Sequence, residues 1–191
     1  MANAMELLPI IIAVVAILIP AIWVVANYNR MARVQQHIKE SWSGIDVEMK
    51  RRYELIPNLV ETVKGYAQHE RDTLEQVVAM RNKAMANHGS AASQAVDESA
   101  MLICMKRLFA LVENYPQLKA DTHFLALQRE LALTEDRIAA ARRFYNANVR
   151  EMNQLCQMFP TNILASMFGF TVGTFFELES AAERVVPHVN L

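Results

Sequence analysis

The residues of this chain best suited to bind a metal ion are its five histidines, at positions 37, 69, 88, 123 and 188. Di-iron helical bundles use glutamate and histidine three residues apart on facing helices, and no glutamate here is followed three residues later by a histidine. His69 precedes Glu70, but no second histidine completes the HExxH pattern of zinc peptidases. We therefore predict no metal site and expect the histidines on the solvated surface.

The two cysteines, Cys104 and Cys156, are candidate nucleophiles, and they are isolated in the sequence. A catalytic thiolate is activated by a partner such as histidine, and neither cysteine has a partner visible in the sequence. The chain contains neither a GxSxG nucleophile turn nor a glycine-rich phosphate loop. We predict free thiols in helices, no catalytic residues, no cofactor and no enzymatic activity.

The composition indicates one helical domain. Only 5 glycines and 6 prolines occur in 191 residues, and 53% of the residues are hydrophobic, while residues that favour helices are abundant. The net charge of -1 provides no broad attraction to the phosphates of nucleic acid. We expect an all-α fold and do not expect nucleic acid as a partner.

The amino-terminal region contains about twenty residues without a charge, residues 7–26, which is the length needed to cross a bilayer as a helix. After a short tail of residues 1–6, we predict a transmembrane helix over residues 7–28. The span is followed by Arg30, Arg33 and Lys39. Because positively charged residues next to a span stay on the cytoplasmic side, we expect the rest of the chain there. A cleaved signal peptide is the alternative, but the segment has no basic start and its apolar run is too long.

Residues 30–159 carry apolar side chains at steps of three and four, the spacing of helices that bury one face. Asp121 or Thr122 can cap the last of these helices. We predict a single transmembrane helix followed by an antiparallel up-and-down four-helix bundle. The four predicted helices are residues 34–53, a second from Pro57 to the loop at 87–93, residues 95–115, and residues 124–159.

Pro57 interrupts the helical pattern within RRYELIPNLVETV, residues 51–63. If residues 53–57 form a turn, Pro57 starts the second helix, where its missing N–H costs nothing. If one helix continues and is kinked, Pro57 lies in its interior at a cost of about 3 kcal/mol. We favour the turn, because it returns the fourth helix to the membrane, where the apolar residues that follow it would be expected.

Arg142, Arg143, Tyr145 and Asn148 form the most polar stretch of the fourth predicted helix. Asn148 lies on the apolar face, where a buried amide can set the register of packing. Asp46 flanks the apolar face of the first predicted helix, and we expect it to form a buried ion pair with an arginine of the fourth. The cluster is then a structural ion pair, a solvated rim of the bundle or a polar spot that recognises a partner protein.

Residues 160–191 follow the fourth predicted helix and begin with an apolar, aromatic segment. We predict a short helix over residues 160–170 with one apolar face. That face either lies in the membrane interface or covers the open end of the bundle, and we favour the interface. The predicted contact residues are Ile163, Leu164, Met167, Phe168 and Phe170.

Four segments carry a resemblance to a known family: RRYELIPNLVETVKGYAQHE (51–70), ENYPQLKA (113–120), TEDRIAAARRFYNANVREMN (134–153) and FPTNILASMFGF (159–170). In this order, behind one amino-terminal span, they resemble the LemA family. The resemblance implies a membrane-anchored, mostly antiparallel helical bundle with no agreed biochemical activity, often encoded near membrane metallopeptidases. One branch of the family is similar to factors that build magnetosome membranes. The final stretch, TVGTFFELESAAERVVPHVNL, departs from the more basic sequence of the family.

We therefore predict a single-pass protein of the bacterial inner membrane with its bundle in the cytoplasm. The predicted role is a scaffold or adaptor for other membrane proteins, and the resemblance suggests a membrane metallopeptidase as one such partner. A second copy of the chain is another candidate partner, and the lipid bilayer is the constant one. The alternative role is a self-assembling membrane-remodelling or organelle-biogenesis factor.

Overall fold

The computed structural model describes the backbone of residues 2–178 and the side chains of Pro9 and residues 11–178, and all regular structure in this part is helical. The prediction of an all-α fold with a long apolar amino-terminal helix and a helical bundle is confirmed. The predicted tail beyond residue 178 lies outside the described residues. The helices are α1 (Ala2–Tyr66), α2 (Arg71–Ala86), α3 (Ala91–Val112), α4 (Pro116–Lys119), α5 (Thr122–Gln157) and α6 (Thr161–Phe168).

The chain divides into two compact units, and α1 and α5 contribute residues to both. Within the described residues, the first unit contains residues 2–39 and 147–173, and the second contains residues 40–146 and 174–178.

In the first unit, α1 exposes most of its apolar side chains between Ile11 and Val25, while Val24 is partly buried against the core of this unit. An 18-residue window of this helix has a mean hydropathy of 2.4, and none of the window is buried. A core helix of a soluble protein with this composition would be mostly buried. The length, composition and exposure therefore fit a single-pass membrane helix.

The rest of the first unit packs around a small apolar core. Between α1 and α5, the side chain of Arg30 lies 2.9 Å from the Glu151 carboxylate. Helix α6 ends at Gly169, whose φ of 75° is a left-handed conformation that glycine adopts without strain. Helix α6 therefore packs against both α1 and α5. The core residues are Met31 and Val34 of α1, Met152 and Leu155 of α5, and Leu164 and Ala165 of α6.

In the second unit, α2 and α3 pack against each other, and the hydroxyl of Ser90 caps α3 by accepting the N–H of Ser93 at 3.2 Å. Helix α5 is capped by Asp121, one of the two predicted candidates. Its carboxylate accepts the N–H groups of His123 and Phe124 at 2.8 and 2.9 Å. The N–H of Phe124, and then the hydroxyl of Tyr66, lower the pKa of Asp121, so the cap weakens as pH falls through that lowered pKa.

Helices α1 and α5 run in opposite directions within the second unit. The guanidinium of Arg51 contacts the Glu130 carboxylate, and the hydroxyl of Tyr66, further along α1, donates to Asp121 at 2.8 Å. Residues later in α1 therefore lie beside residues earlier in α5, which confirms the antiparallel arrangement of these two helices.

The predicted turn at residues 53–57 is wrong, because α1 continues through Pro57 to Tyr66. A proline inside a helix leaves the carbonyl four residues earlier without its donor, and here that carbonyl belongs to Tyr53. The side chain of Arg81, on α2, supplies the missing donor, with Nε 2.9 Å from the Tyr53 oxygen. Pro57 itself faces solvent while Ile56 is fully buried, so packing of the inner face of α1 offsets the lost helical bond.

The first break in the helical path falls at residues 67–70 instead, ten residues beyond Pro57. The carbonyl of Ala67 accepts the N–H of Glu70 at 3.2 Å, which closes this turn before α2 begins. The number of long helices in the bundle agrees with the prediction, but the boundary between the first two is displaced toward the carboxyl end.

Replacing Arg81 with alanine should lower the free energy of unfolding by about 1–2 kcal/mol, because the Tyr53 carbonyl loses its donor. In a Pro57→Ala background, the N–H of the new alanine can bond to the same carbonyl, so the Arg81 substitution should cost clearly less. Chemical denaturation of the four proteins in detergent measures this coupling as a double-mutant cycle.

Arg71→Ala, on the exposed start of α2, is the matched control and should cost the same in both backgrounds. An equal cost of Arg81→Ala with and without the proline would show that the Tyr53 contact does not compensate for Pro57.

Candidate functional site

The most polar buried site in the described part of the chain surrounds Arg52 of α1. This residue is 1% exposed, as is Glu98 of α3. One guanidinium nitrogen of Arg52 contacts the Glu98 carboxylate, and another lies 2.8 and 3.0 Å from the two carboxylate oxygens of Glu135 on α5. A single arginine therefore holds two carboxylates from two other helices.

Tyr53 and Gln94 extend this network. The Tyr53 hydroxyl donates to the Glu98 carboxylate, and the Gln94 amide donates to the same carboxylate at 3.1 Å and to the Ala84 carbonyl of α2 at 3.0 Å. Burial raises the pKa of Tyr53, although the neighbouring Arg52 charge opposes the shift. Tyr53 therefore stays protonated at neutral pH and serves as a donor. The network joins α1, α2, α3 and α5.

The chemistry of this network is structural. Buried charges are tolerated when they are paired and hydrogen-bonded, and each charged group here contacts an opposite charge within the bundle. Arg52, Tyr53 and Gln94 hold the Glu98 carboxylate, and Arg52 alone holds that of Glu135. Among the described side chains, no three metal-binding groups come close enough together to hold an ion.

Arg52 and Glu98 were not among the predicted site residues, although the sequence contains a signal for them. Arg52 stands three residues after Met49 and seven after Ile45, which places it on the same face as those buried residues. Gln94 and Glu98 are four residues apart and so share one face of α3. A charge on an apolar stripe of one helix and a carboxylate on another are the features that would have indicated the pair.

The predicted ion pair between Asp46 and an arginine of α5 is wrong. Asp46 is partly exposed and pairs with Lys50, one turn further along α1, at 2.7 Å. The physical reason is that Asp46 lies beside the buried stripe rather than on it, so solvent and a neighbouring lysine neutralise it. The buried charged residue of α1 is Arg52, whereas the prediction had named Asp46.

The other residues of the predicted polar cluster do not form one site. Arg142 is half-buried, and Arg143 is exposed. Tyr145 is buried, and its hydroxyl donates to the Thr174 carbonyl at 3.0 Å. Asn148 lies in the other compact unit, where its amide is 3.4 Å from the His37 carbonyl.

Two neighbouring asparagines of the same motif have a clear role that sequence analysis missed. Asn146 accepts the N–H of Phe176 at 2.9 Å and donates to its carbonyl at 3.0 Å. In the first unit, Asn153 makes the same pair of bonds with Gly173, at 2.7 and 3.1 Å. Each side-chain amide pairs with an extended backbone segment as a neighbouring β-strand would, because its oxygen accepts one backbone N–H and its NH2 group donates to one backbone carbonyl. The seven-residue spacing of the two asparagines was the available signal.

The predicted membrane-contact residues separate into two groups. Leu164 is buried in the core of the first unit, and Phe170 is partly buried against that core, so the prediction that Leu164 contacts the membrane is wrong. Ile163, Met167 and Phe168 remain exposed. Helix α6 thus has one face packed on the protein and one apolar face without protein cover within the described residues.

The two cysteines are free thiols, as predicted, and both are half-buried. Burial raises the pKa of Cys156, which keeps the thiol protonated and makes it a poor nucleophile.

Replacing Arg52 with methionine should lower the free energy of unfolding by about 3–5 kcal/mol, because Glu98 and Glu135 lose their common cation inside the bundle. Asp46→Ala is the matched control on the same helix and should cost no more than about 0.5 kcal/mol, since an exposed pair one turn apart contributes little. Chemical denaturation in detergent measures both. If Arg52→Met cost no more than Asp46→Ala, the buried network would not stabilise the bundle.

The comparisons with known proteins agree with this architecture. A LemA family model matches residues 41–191. The chain is similar to Protein LemA of Metamycoplasma hominis, with 28% identity over 162 residues that cover 84% of this chain and 73% of that protein. It is also similar to Magnetosome protein MamQ 2 of Paramagnetospirillum magneticum and to Magnetosome protein MamQ of Magnetospirillum gryphiswaldense, with 24% and 23% identity over 185 residues, which cover 84% of this chain and 68% of each relative. The family match extends over most of the chain, and the protein therefore belongs to the LemA family.

Proposed function

We propose that this protein is a non-enzymatic scaffold or adaptor that is anchored in the bacterial inner membrane and presents its helical bundle to other membrane proteins. The observation that carries the proposal is the continuity of α1. The apolar part of this helix passes without a break into the part that packs in the bundle. One helix therefore carries both the apolar segment and residues that pack in the bundle, which suits an anchored scaffold.

Charge near the span supports a cytoplasmic position of the bundle. Arg30, Arg33 and Lys39 follow the apolar segment directly, and positive residues close to a span remain on the cytoplasmic side.

Helix α6 supports a second contact with the membrane. The ring of Tyr28, at the end of the apolar segment, lies 4.8 Å from the ring of Phe168 and 5.8 Å from that of Phe170. The exposed face of α6 is therefore close to the point where the span ends, and aromatic side chains favour that level of the bilayer. We assign the exposed residues Ile163, Met167 and Phe168 to the interface between headgroups and acyl chains.

Single cysteines test both assignments in the full chain, in a background where Cys104 and Cys156 are replaced by alanine. Met167→Cys reports on α6 and Val96→Cys on the bundle, since the two native side chains are similarly exposed, at 70% and 65%. In sealed spheroplasts, a membrane-impermeant maleimide should label neither protein. After the membrane is opened, it should label Val96→Cys quickly and Met167→Cys slowly, because lipid covers position 167.

Labelling of Val96→Cys in sealed spheroplasts would contradict the cytoplasmic position. Equal labelling of the two cysteines after opening would contradict the contact of α6 with the membrane. Circular dichroism of each variant checks that the helices are intact.

A groove between the end of α1 and α2 offers a place to capture the partner of a scaffold. It has a volume of about 950 Å³ and is lined by Val60, Gly65, Leu74 and Val78, with charged residues such as Lys64 at its rim. Apolar side chains edged by charge are typical of surfaces that contact other proteins.

A photo-cross-linking amino acid at Val78, in intact cells, should trap a different membrane polypeptide if the protein is an adaptor. A membrane metallopeptidase is the partner class suggested by the family resemblance. The same amino acid at Lys106, on an exposed part of α3, is the control and should trap far less of that polypeptide. Products that contain only copies of this chain would contradict the adaptor role.

The second candidate function is self-assembly that shapes a membrane. It is favoured by the similarity to relatives whose names identify them as magnetosome proteins. In that case, the cross-linked products should consist mainly of the chain itself.

A further inference from the structure

The stretch of the first unit that carries α6 has no charged side chain. Residues 152–173 contain no aspartate, glutamate, lysine, arginine or histidine, although 20% of the whole chain is charged. The same stretch exposes large apolar side chains, and the most exposed of them is Phe159, at 81%. We call these side chains the α6 patch; they are Met158, Phe159, Ile163, Met167, Phe168 and Val172.

The α6 patch rests on a folded platform. Leu164 and Ala165 of α6 are buried in the core of the first unit, and the N–H of Phe170 donates to the Ala165 carbonyl at 2.9 Å. Helix α6 has only eight residues, too few to form a stable helix alone in water. Packing against α1 and α5 therefore presents the patch already folded, so that its insertion into a bilayer costs little backbone ordering.

The position of α6 beside the apolar segment indicates that lipid covers the patch. The ring of Tyr28, at the end of that segment, contacts the rings of Phe168 and Phe170, and all three residues belong to the first unit. The patch thus continues the apolar surface of the span, which makes a bilayer the occupant that the surface fits best.

Helix α6 differs from most helices that lie in a membrane interface. Those helices carry lysine and arginine on their polar face, and these residues attract anionic headgroups. The polar side chains of α6 are Thr161, Asn162 and Ser166, which are hydroxyl and amide groups without charge. Insertion of α6 therefore depends on the burial of apolar surface alone.

The positive charges of the first unit lie on other helices. Arg30 is paired with Glu151. Arg33 stands between Met31 and Val34, and the helical period turns it away from the face of α1 that these two residues bury in the core. The other lysine and arginine of the described part of this unit are exposed, and they are Lys39 and Arg150. The patch itself therefore offers no cation to an anionic headgroup.

Bulky side chains without charge reach the acyl chains most easily where the headgroups are widely spaced. Insertion of this kind depends on lipid composition and on curvature, both of which change that spacing. We propose that the α6 patch responds to lipid packing: it inserts where headgroups are loosely packed, stays at the surface where they are tightly packed, and does not recognise headgroup charge.

The apolar segment of α1 and the α6 patch then have separate roles. The segment keeps the chain in the membrane whether or not α6 inserts, and the patch changes its depth with the packing of the surrounding lipid. This inference rests on the contact between α6 and the membrane in the proposed function and is independent of the adaptor role.

The experiment uses the full chain, with Cys104 and Cys156 replaced by alanine and an environment-sensitive fluorophore attached to Met167→Cys. The protein is reconstituted in large vesicles, and quenching by lipids with a nitroxide on the acyl chain measures insertion. Quenching should be stronger when phosphatidylethanolamine, whose small headgroup loosens packing, replaces half of the phosphatidylcholine. It should not change when phosphatidylglycerol replaces phosphatidylcholine or when salt is added. The same fluorophore at Val96→Cys is the control and should not be quenched.

Phe159→Ser should lower the ratio of inserted to uninserted α6 by about tenfold or more, because the most exposed apolar side chain of the patch is lost. Phe144→Ser is the matched control. Phe144 is also exposed, at 59%, but it lies on α5 in the second unit, so its replacement should leave quenching at position 167 unchanged.

Ser166→Lys places a cation on the exposed side of α6. In this variant, quenching at position 167 should increase with phosphatidylglycerol and decrease with salt, because an anionic surface attracts a nearby lysine. If the lysine introduced no dependence on phosphatidylglycerol, position 166 would not be near the headgroups, which would contradict the proposal.

Two results would overturn the response to packing while the membrane contact of the proposed function stands. They are equal quenching with and without phosphatidylethanolamine, and quenching of the protein without the added lysine that rises with phosphatidylglycerol or falls with salt. Absence of quenching at position 167 in every vesicle would contradict both the membrane contact and this inference.

Discussion

The charge of Arg52 must be neutralised inside the helical bundle, and the rest of the second unit is organised around that requirement. A guanidinium that is removed from water needs an opposite charge and hydrogen bonds for its N–H groups. Glu98 and Glu135 provide the charges from two different helices. A buried ionic contact has strict geometry, so it specifies how α1, α3 and α5 are rotated and aligned in a way that apolar contacts alone do not.

A second constraint follows from the position of this network on α1. The side chain of Tyr53 belongs to the network, and its carbonyl is the one that Pro57 leaves without a helical donor. Arg81 of α2 donates a hydrogen bond to that carbonyl, and Gln94 connects the network to the end of α2 by donating to the Ala84 carbonyl. The two features occur within one segment, residues 51–63, so a single stretch of α1 provides the sites at which α2, α3 and α5 attach.

The buried polar network around Arg52 therefore holds the helices of the second unit together. Arg52 of α1 pairs with Glu98 of α3 and Glu135 of α5, and Asn146 holds the extended backbone at Phe176. In the part of the chain that the structure describes, the outward faces available for contacts include the exposed side of α6 and the groove beside α2. Such a distribution suits a protein that acts through the membranes and proteins it contacts, which is the basis of the proposals above.

The sequence by itself determined the helical class, the apolar segment, the family resemblance and the two candidates, Asp121 and Thr122, for the cap of α5. These depend on local spacing and on motifs, because a helix has a fixed period and a membrane span has a fixed length. Only the tertiary structure decided that α1 continues through Pro57, because the compensating donor, Arg81, lies on another helix. It also decided that Arg52 rather than Asp46 is the buried charge, and that Leu164 packs inward while Met167 faces outward. Which of several possible partners a side chain meets depends on how neighbouring helices are rotated about their axes, and no periodicity within one helix contains that information.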